Sequence, residues 1–154
     1  MIEAFVKESL AQDVGRGDLY ALVEPSKNAS AKIISKSNGV LAGVEYVNEL
    51  ALLENFEVIW NKQDSESFGF GEVVLSLKGD SHTLLKIERT LLNILLHASS
   101  IATLTRKYVE IVEPYGVKLL DTRKTRPLLR VFEKYATAFQ NFDLQHDVLL
   151  ENLL

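Results

Sequence analysis

The apolar run that begins near Ser81 or His82 constrains the fold more than any other part of this 154-residue chain. Its apolar positions recur at the spacing of one face of an α-helix: Leu84, Ile87, Leu91, Ile94, Leu95 and Ala98. Residues 101–113 continue the helical pattern until Pro114-Tyr-Gly116 ends it. The sequence therefore predicts one long helix that packs into a core, and the chain is long enough to bury such a core.

The predicted long helix also carries a polar stripe. The stripe consists of Lys86, Arg89, Asn93, His97 and Ser100, which share one helical face at spacings of 3, 4, 4 and 3. One interpretation is an ordinary solvated surface. The other is a protected polar face at a ligand or at a subunit contact, because the stripe holds few freely charged residues on so apolar a helix. The residues leave both interpretations open.

The first 80 residues alternate between helical and strand patterns. Helices are predicted from residue 2 to about 12 and from Val44, and strands at 31–35, 40–42, 56–60 and 73–77. Asn38-Gly39 is a strong signal for a tight turn, so the first two strands are predicted to form a hairpin. This order of elements predicts an α+β fold with an antiparallel or mixed sheet.

A new strand and helix are predicted after residue 116. Residues Val117 to Leu120 predict a buried strand, and Pro127 stands where the first turn of a helix tolerates proline. The apolar residues of 128–132 then follow a helical period. Residues 121–126 are therefore expected to form the loop at the carboxyl end of a strand, where α/β units bind their ligands.

That loop carries side chains suited to an anion. Arg123 and Lys124 are adjacent, with the hydroxyls of Thr122 and Thr125 on either side. Arg presents a planar fork to a carboxylate or phosphate, and Lys presents a compact charge. The pair favours a small ligand with several negative groups. The alternative is a solvated basic loop, since charge clusters between elements are common.

Composition excludes several classes of protein. The 47% of hydrophobic and 25% of charged residues exclude a disordered or collagen-like chain. The absence of Cys excludes disulfides and thiolate metal sites and agrees with a reducing cytoplasm, and the three His have no metal-binding spacing. We expect no signal peptide and no membrane span. The net charge of −4 argues against nucleic-acid binding, although the basic loop keeps that function as a weaker alternative.

Six short motifs follow one another along the chain. They are Gln12-Asp-Val-Gly-Arg-Gly-Asp-Leu19, Gly39-Val-Leu-Ala-Gly43, Glu88-Arg-Thr-Leu-Leu-Asn93, Ser99-Ser-Ile-Ala-Thr103, Leu120-Asp-Thr-Arg-Lys-Thr-Arg-Pro127 and Arg130-Val-Phe-Glu-Lys-Tyr-Ala136. In this order and spacing the chain resembles the quinolinate phosphoribosyltransferases, also called carboxylating nicotinate-nucleotide pyrophosphorylases. Linked motifs are far more specific than any one motif alone.

The resemblance implies an α+β fold and a reaction. Residues 1–115 would be an N-terminal α/β sandwich and dimerisation domain. Residues 116–154 would supply the first βα unit of an α/β barrel, which stays incomplete, and a divergent tail. The family converts quinolinate and phosphoribosyl pyrophosphate to nicotinate mononucleotide, carbon dioxide and pyrophosphate in NAD biosynthesis. It uses Mg²⁺, whose ligands we do not expect in this chain, and we expect a cytoplasmic homodimer or higher oligomer.

The resemblance also implies substrate-binding residues, without assigning a catalytic one. Thr122, Arg123 and Lys124 would bind quinolinate, and Arg89 would reach the same site from a partner subunit. That arrangement would explain a protected polar stripe. Three cations around two carboxylates would hold the ligand and stabilise charge during ribosyl transfer.

The chain departs from the family pattern at two places. Ser100 stands where the family usually has glycine, so we expect its side chain to crowd a close backbone contact. After Ala136 the family's later motifs are missing, so we expect either a fragment or a shortened domain, with an apolar tail from Val148 that forms a covering helix. The alternatives are a non-catalytic remnant or dimerising module, and a paralogue acting on another small anion, such as the molybdenum-transport relative.

Overall fold

Three antiparallel strands in the order β1-β5-β3 form one layer of the computed structural model, which describes residues 1–15, 17 and 20–138. Their bounds are Asn28–Ile34 for β1, Glu57–Trp60 for β3 and Val73–Asp80 for β5. The register places Ala31, Leu77 and Val58 side by side, so one face of the sheet is apolar. The strands predicted near 31–35, 56–60 and 73–77 are confirmed.

The described residues form five helices. They are α1 (Ile2–Val14), the short α2 (Tyr20–Val23), α3 (Val44–Glu54), α4 (Ser81–Val112) and α5 (Arg130–Ala138). Of these, α4 packs on β1 and β5 and α3 packs on β3, whereas α1 and α5 pack chiefly on other helices. Asp80 caps α4, because its carboxylate accepts the backbone N–H of Thr83 at 3.0 Å. Ile87 and Leu91 of α4 are fully buried in the same core as Leu75 of β5. The predicted long helix is confirmed.

A side-chain bond ties α3 to the sheet, and local chemistry ends α4. The indole N–H of Trp60 on β3 donates to Asn48 Oδ1 on α3 at 2.8 Å, which joins the sheet to that helix. A 3₁₀ turn, Glu113–Tyr115, follows α4, and Gly116 has a φ of 68°. Glycine adopts this left-handed conformation without steric cost, so the predicted stop at Pro114-Tyr-Gly116 is confirmed.

The hairpin predicted at Asn38-Gly39 is wrong. β1 pairs with β5, whereas the next strand, β2 (Gly39–Val40), pairs with β4 (Ser67–Phe68). Asn38 turns the chain differently, because its side-chain oxygen accepts the N–H of Phe70 at 2.9 Å. Gly39 is needed for space, since an added Cβ would lie 2.7 Å from a ring carbon of Phe68.

The strand predicted at Val117–Leu120 is also wrong. These residues form neither strand nor helix, and the side chains of Val117 and Leu120 are largely exposed. A strand needs a neighbour to satisfy its backbone, and no strand among the described residues pairs with this segment. Helix α5 begins at Arg130, because Pro127 and Leu128 form a turn in which Leu128 has a φ of 66°.

Together these elements make the predicted α+β fold, and the described residues after α4 form no barrel sheet. Helix α5 packs on the preceding layers, since Phe132 stacks on Phe5 with ring centroids 5.0 Å apart and meets the edge of Tyr46 at 4.8 Å. Within the described residues, no helix is long and apolar enough to cross a membrane. The helix predicted from Val148 lies outside the described residues.

Candidate anion-binding site

The cationic loop, residues 121–126, is anchored at both ends. At its start, Asp121 Oδ2 lies 3.6 Å from Lys134 Nζ. At its end, the Arg126 backbone N–H donates to Glu133 Oε2 at 3.2 Å, and Arg126 Nε lies 3.3 Å from Glu133 Oε1. Two consecutive residues of α5 therefore hold the two ends of the loop.

The middle of the loop presents three of the predicted site residues. The hydroxyl of Thr122 accepts the backbone N–H of Lys124 at 3.0 Å, which closes a tight turn around Arg123. Thr122, Arg123 and Lys124 are all exposed. In the part of the chain that the structure describes, no carboxylate pairs with the side chain of Arg123 or Lys124. Both cations are therefore available to an anion.

A cavity of about 390 Å³ lies beside this loop. Thr122 and Lys124 line it, together with Thr105 of α4 and Thr137 of α5. Its volume is at the lower end of the range for small-molecule sites. Arg123 does not line this cavity, although its neighbours on both sides do.

A second, larger cavity lies along α4. This groove of about 680 Å³ is lined by Arg89, Asn93 and Ser100 of the polar stripe. Exposed apolar side chains accompany them, with Leu96 69% and Leu104 54% exposed. The side chain of Ser100 is exposed at this groove, and the expectation that it crowds the backbone of a partner or a ligand contact stays a prediction.

The rest of the polar stripe is bonded within the chain. Lys86 Nζ lies 2.6 Å from Glu54 Oε2. His97 Nε2 lies 3.3 Å from Glu133 Oε1, and the ring stacks on Phe132 with centroids 5.5 Å apart. The stripe is thus partly protected by α5 and α3, and partly open at the groove.

Three of the four predicted substrate-binding residues are therefore divided between two cavities of one chain, and Arg123 lines neither. Thr122 and Lys124 line the cavity beside the loop, whereas Arg89 lines the groove along α4. The prediction that Arg89 completes the site of a partner subunit stays a prediction.

A buried polar group that the sequence did not indicate joins α5 to α3. Tyr135 donates its hydroxyl to Asp64 Oδ2, and Asp64 Oδ1 accepts the N–H of Val44 at 3.2 Å. Burial raises the pKa of the Asp64 carboxyl, and the hydrogen bonds from Tyr135 and the backbone oppose that rise. Burial, followed by the nearby Asp64 charge, also raises the pKa of Tyr135. No local pattern links residues 71 positions apart.

Two of the family-like motifs bond to each other. The hydroxyl of Thr103 on α4 accepts the N–H of Val40 at 2.8 Å, and Ser99 Oγ accepts the N–H of Ala42 at 3.2 Å. The backbone N–H groups of Val40 and Ala42 are thereby hydrogen-bonded to side chains of α4 rather than to a neighbouring strand. Ser99 and Thr103 therefore have a structural role at the boundary between α4 and β2.

Two family models match consecutive parts of the chain. The model of the quinolinate phosphoribosyl transferase N-terminal domain matches residues 18–99, and the model of the C-terminal domain of the same family matches residues 101–147. The two matches meet within α4. The domain boundary predicted at residues 115 and 116, at the end of that helix, stays a prediction.

Two curated relatives of this chain have the same name. The probable nicotinate-nucleotide pyrophosphorylase [carboxylating] of Bacillus subtilis (strain 168) is 40% identical over 128 residues, which cover 81% of this chain and 44% of the relative. The protein of the same name from Archaeoglobus fulgidus is 40% identical over 140 residues, covering 90% of this chain and 54% of the relative. The chain spans about half the length of these curated relatives.

Solved structures agree with these relatives. The nicotinate-nucleotide pyrophosphorylase from Francisella tularensis superposes with a TM-score of 0.86 at 32% identity, covering 91% of this chain and 51% of that chain. The structure of NadC from Streptococcus pyogenes superposes with a TM-score of 0.83 at 34% identity, covering 91% and 52%.

Proposed function

The chain belongs to the quinolinate phosphoribosyltransferase family, and from that premise we propose that it serves phosphoribosyl transfer to quinolinate. The proposed reaction converts quinolinate and phosphoribosyl pyrophosphate to nicotinate mononucleotide, carbon dioxide and pyrophosphate, as a step of NAD biosynthesis. In this proposal the described residues contribute the binding of quinolinate, and no catalytic residue is assigned among them.

The open middle of the cationic loop is the observation that carries the proposal. Arg126 and Asp121 at the loop ends are engaged by α5, whereas Arg123 and Lys124 pair with no carboxylate of the described residues. Quinolinate is a dicarboxylate, and charge-assisted hydrogen bonds from Arg and Lys are among the strongest available to it. Thr122 and Lys124 also line a cavity of suitable volume.

Arg89 would complete the site in a homodimer or higher oligomer. It is exposed at the groove along α4, away from the loop cavity of its own chain. Two subunits could therefore each lend one Arg89 to the loop of the other. Three cations around one dicarboxylate would hold the ligand while the anomeric carbon becomes electron-poor during ribosyl transfer.

We propose that Mg²⁺ accompanies phosphoribosyl pyrophosphate, as in the family. Among the described residues no group of three or more His, Cys, Asp or Glu side chains could hold a metal ion, and we assign the ion no ligands there. A cysteine-free sequence is compatible with the cytoplasm, where we expect the protein to act.

Calorimetric titration of the full chain with quinolinate tests the proposal. We expect saturable binding that Arg123→Ala or Lys124→Ala weakens by at least about tenfold, because each removes a charge-assisted hydrogen bond worth about 1.5–3 kcal/mol. Lys32→Ala is the matched control, since it removes one exposed cation from β1 and lines neither cavity. Equal affinities for all three variants would contradict the proposal.

Two further measurements separate the proposal from the alternatives. Nicotinate, which has one carboxylate fewer, is expected to bind more weakly than quinolinate at the same site. Ultracentrifugation gives the oligomeric state. An oligomer that does not bind quinolinate would favour a non-catalytic dimerising module, and tighter binding of another small anion, with molybdate as the probe, would favour a paralogue.

A further inference from the structure

We propose that Glu133 and Lys134 of α5 are positioning residues for the cationic loop, and this inference rests on the proposed function. Glu133 holds the Arg126 end of the loop, and Lys134 holds the Asp121 end. The residues between these ends, among them Arg123 and Lys124, are thereby presented to the ligand. Glu133 and Lys134 also line the cavity beside the loop, and in this proposal they act by holding the loop rather than by binding quinolinate.

The two anchoring residues of α5 are largely shielded from solvent, whereas the cations in the middle of the loop are exposed. The side chains of Glu133 and Lys134 are 14% and 11% exposed. The loop cations Arg123 and Lys124 are exposed. Both side chains of the Asp121–Lys134 pair are protected, so this pair is less screened by solvent and salt than an exposed pair. At the other end the Arg126 side chain is 66% exposed, and the bond from the Arg126 backbone N–H to Glu133 is the contact that fixes the loop.

The Glu133 carboxylate is neutralised by the groups that it holds. It accepts the Arg126 backbone N–H and lies 3.3 Å from both Arg126 Nε and His97 Nε2. Arg126 Nη1 also lies 3.4 Å from His97 Nδ1. In the neutral tautomer with hydrogen on Nε2, His97 accepts from Arg126 and donates to Glu133, which satisfies all three groups. The anchor therefore need not repel a dicarboxylate nearby.

The opposite face of α5 fixes the anchor to the core. Phe132 is buried against Phe5 and Tyr46, and Tyr135 bonds to Asp64. Residues 132 and 135 thus face the core while 133 and 134 face the loop. A loop held in this way loses little conformational freedom when it binds a ligand, and such preorganisation raises affinity.

The effect of Glu133→Gln on the full chain tests this inference. The amide oxygen can replace only one of the two acceptor oxygens, so we expect about five- to tenfold weaker quinolinate binding, together with faster hydrogen exchange at the Arg126 amide. Glu110→Gln is the matched control, because it removes the same charge from an exposed position on α4 that lines none of the described cavities.

A double-mutant cycle tests the other anchor. Asp121→Asn and Lys134→Met both remove the Asp121–Lys134 contact, so if Asp121 acts through that contact the double variant should bind quinolinate no more weakly than Lys134→Met. Lys32→Met should leave the affinity unchanged. Thermal melting of every variant separates loss of positioning from loss of fold.

The outcomes distinguish the inference from the function on which it rests. If quinolinate binding does not depend on Arg123, the proposed function fails. If binding depends on Arg123 but Glu133→Gln changes neither the affinity nor the exchange of the Arg126 amide, the inference alone is overturned. Additive losses in the cycle would likewise overturn the role of the Asp121–Lys134 contact.

Discussion

The hydroxyl of Tyr135 on α5 donates to the carboxylate of Asp64, which also accepts the N–H of Val44 at the start of α3. One carboxylate therefore joins three segments that are distant in the sequence. Because α5 also holds the cationic loop, this bond links the stability of the core to the geometry of the candidate site.

Tyr135→Phe removes the hydroxyl that donates to the half-buried Asp64 carboxylate and accepts the N–H of Glu45. We expect the free energy of unfolding to fall by about 1–3 kcal/mol, because two hydrogen bonds are lost and one of them is to a charged group. Urea denaturation measures this loss. Tyr115→Phe is the control, because Tyr115 is 81% exposed and should change stability little. Equal stabilities of the two variants would contradict the prediction.

The raised pKa of Asp64 predicts a dependence of stability on pH. Burial places the folded-state pKa above the ordinary value of 3.8, so between the two values the folded chain binds more protons than the unfolded chain. This contribution to stability is present at low pH and decreases as the pH rises through that window. Urea midpoints of the wild-type chain should therefore fall relative to those of Asp64→Asn from about pH 4 upward, until a plateau is reached. A difference that grows in favour of the wild type would contradict this.

Gly39→Ala should destabilise the chain by overpacking. The new methyl group would lie 2.7 Å from a ring carbon of Phe68 and 2.9 Å from Thr103 Oγ1. We expect a loss of about 1–3 kcal/mol in the free energy of unfolding, which Phe68→Leu should partly restore in the double variant. Gly69→Ala is the control, since its nearest contact would be an ordinary 3.4 Å.

Leu128→Gly should stabilise the chain. Leu128 has a φ of 66° and is 98% exposed, so its side chain makes little contact while its backbone is strained. Relief of about 1–2 kcal/mol of left-handed strain exceeds the entropic cost of glycine, about 0.5–1 kcal/mol. The melting temperature should rise slightly. Leu129→Gly, at a half-buried position, should lower it instead.

Periodicity predicted α1, α3 and α4 because each helix closes its own hydrogen bonds, whereas the helix predicted to start at Pro127 begins only at Arg130. α4 and its end at Gly116 could be read from residue spacing alone. Strand pairing could not, because β1 and β5 are joined by contacts between residues distant in sequence. The Asn38-Gly39 signal failed for the same reason, since Gly39 is selected by its contact with Phe68 rather than by a hairpin turn.

The candidate site was predicted in part. Adjacent cations with a neighbouring hydroxyl indicated Thr122, Arg123 and Lys124, and the structure leaves all three exposed. The anchoring by Glu133 and Lys134 could not be predicted, because it depends on which face of α5 points to the core and which points to the loop. The rotation of α5 about its axis is determined by the aromatic contacts of Phe132, and these contacts could not be read from the spacing of residues in the sequence.

The hydrogen bond between Trp60 and Asn48 gives the chain an internal optical reporter. Trp60 is the single tryptophan of the sequence, so its fluorescence comes from one known position between β3 and α3. Far-ultraviolet circular dichroism instead follows all the helices, including α5. Coincident unfolding curves from the two signals would mean that the sheet and the helices unfold as one cooperative unit, and separate curves would mean that part of the helical structure unfolds apart from the contact between β3 and α3.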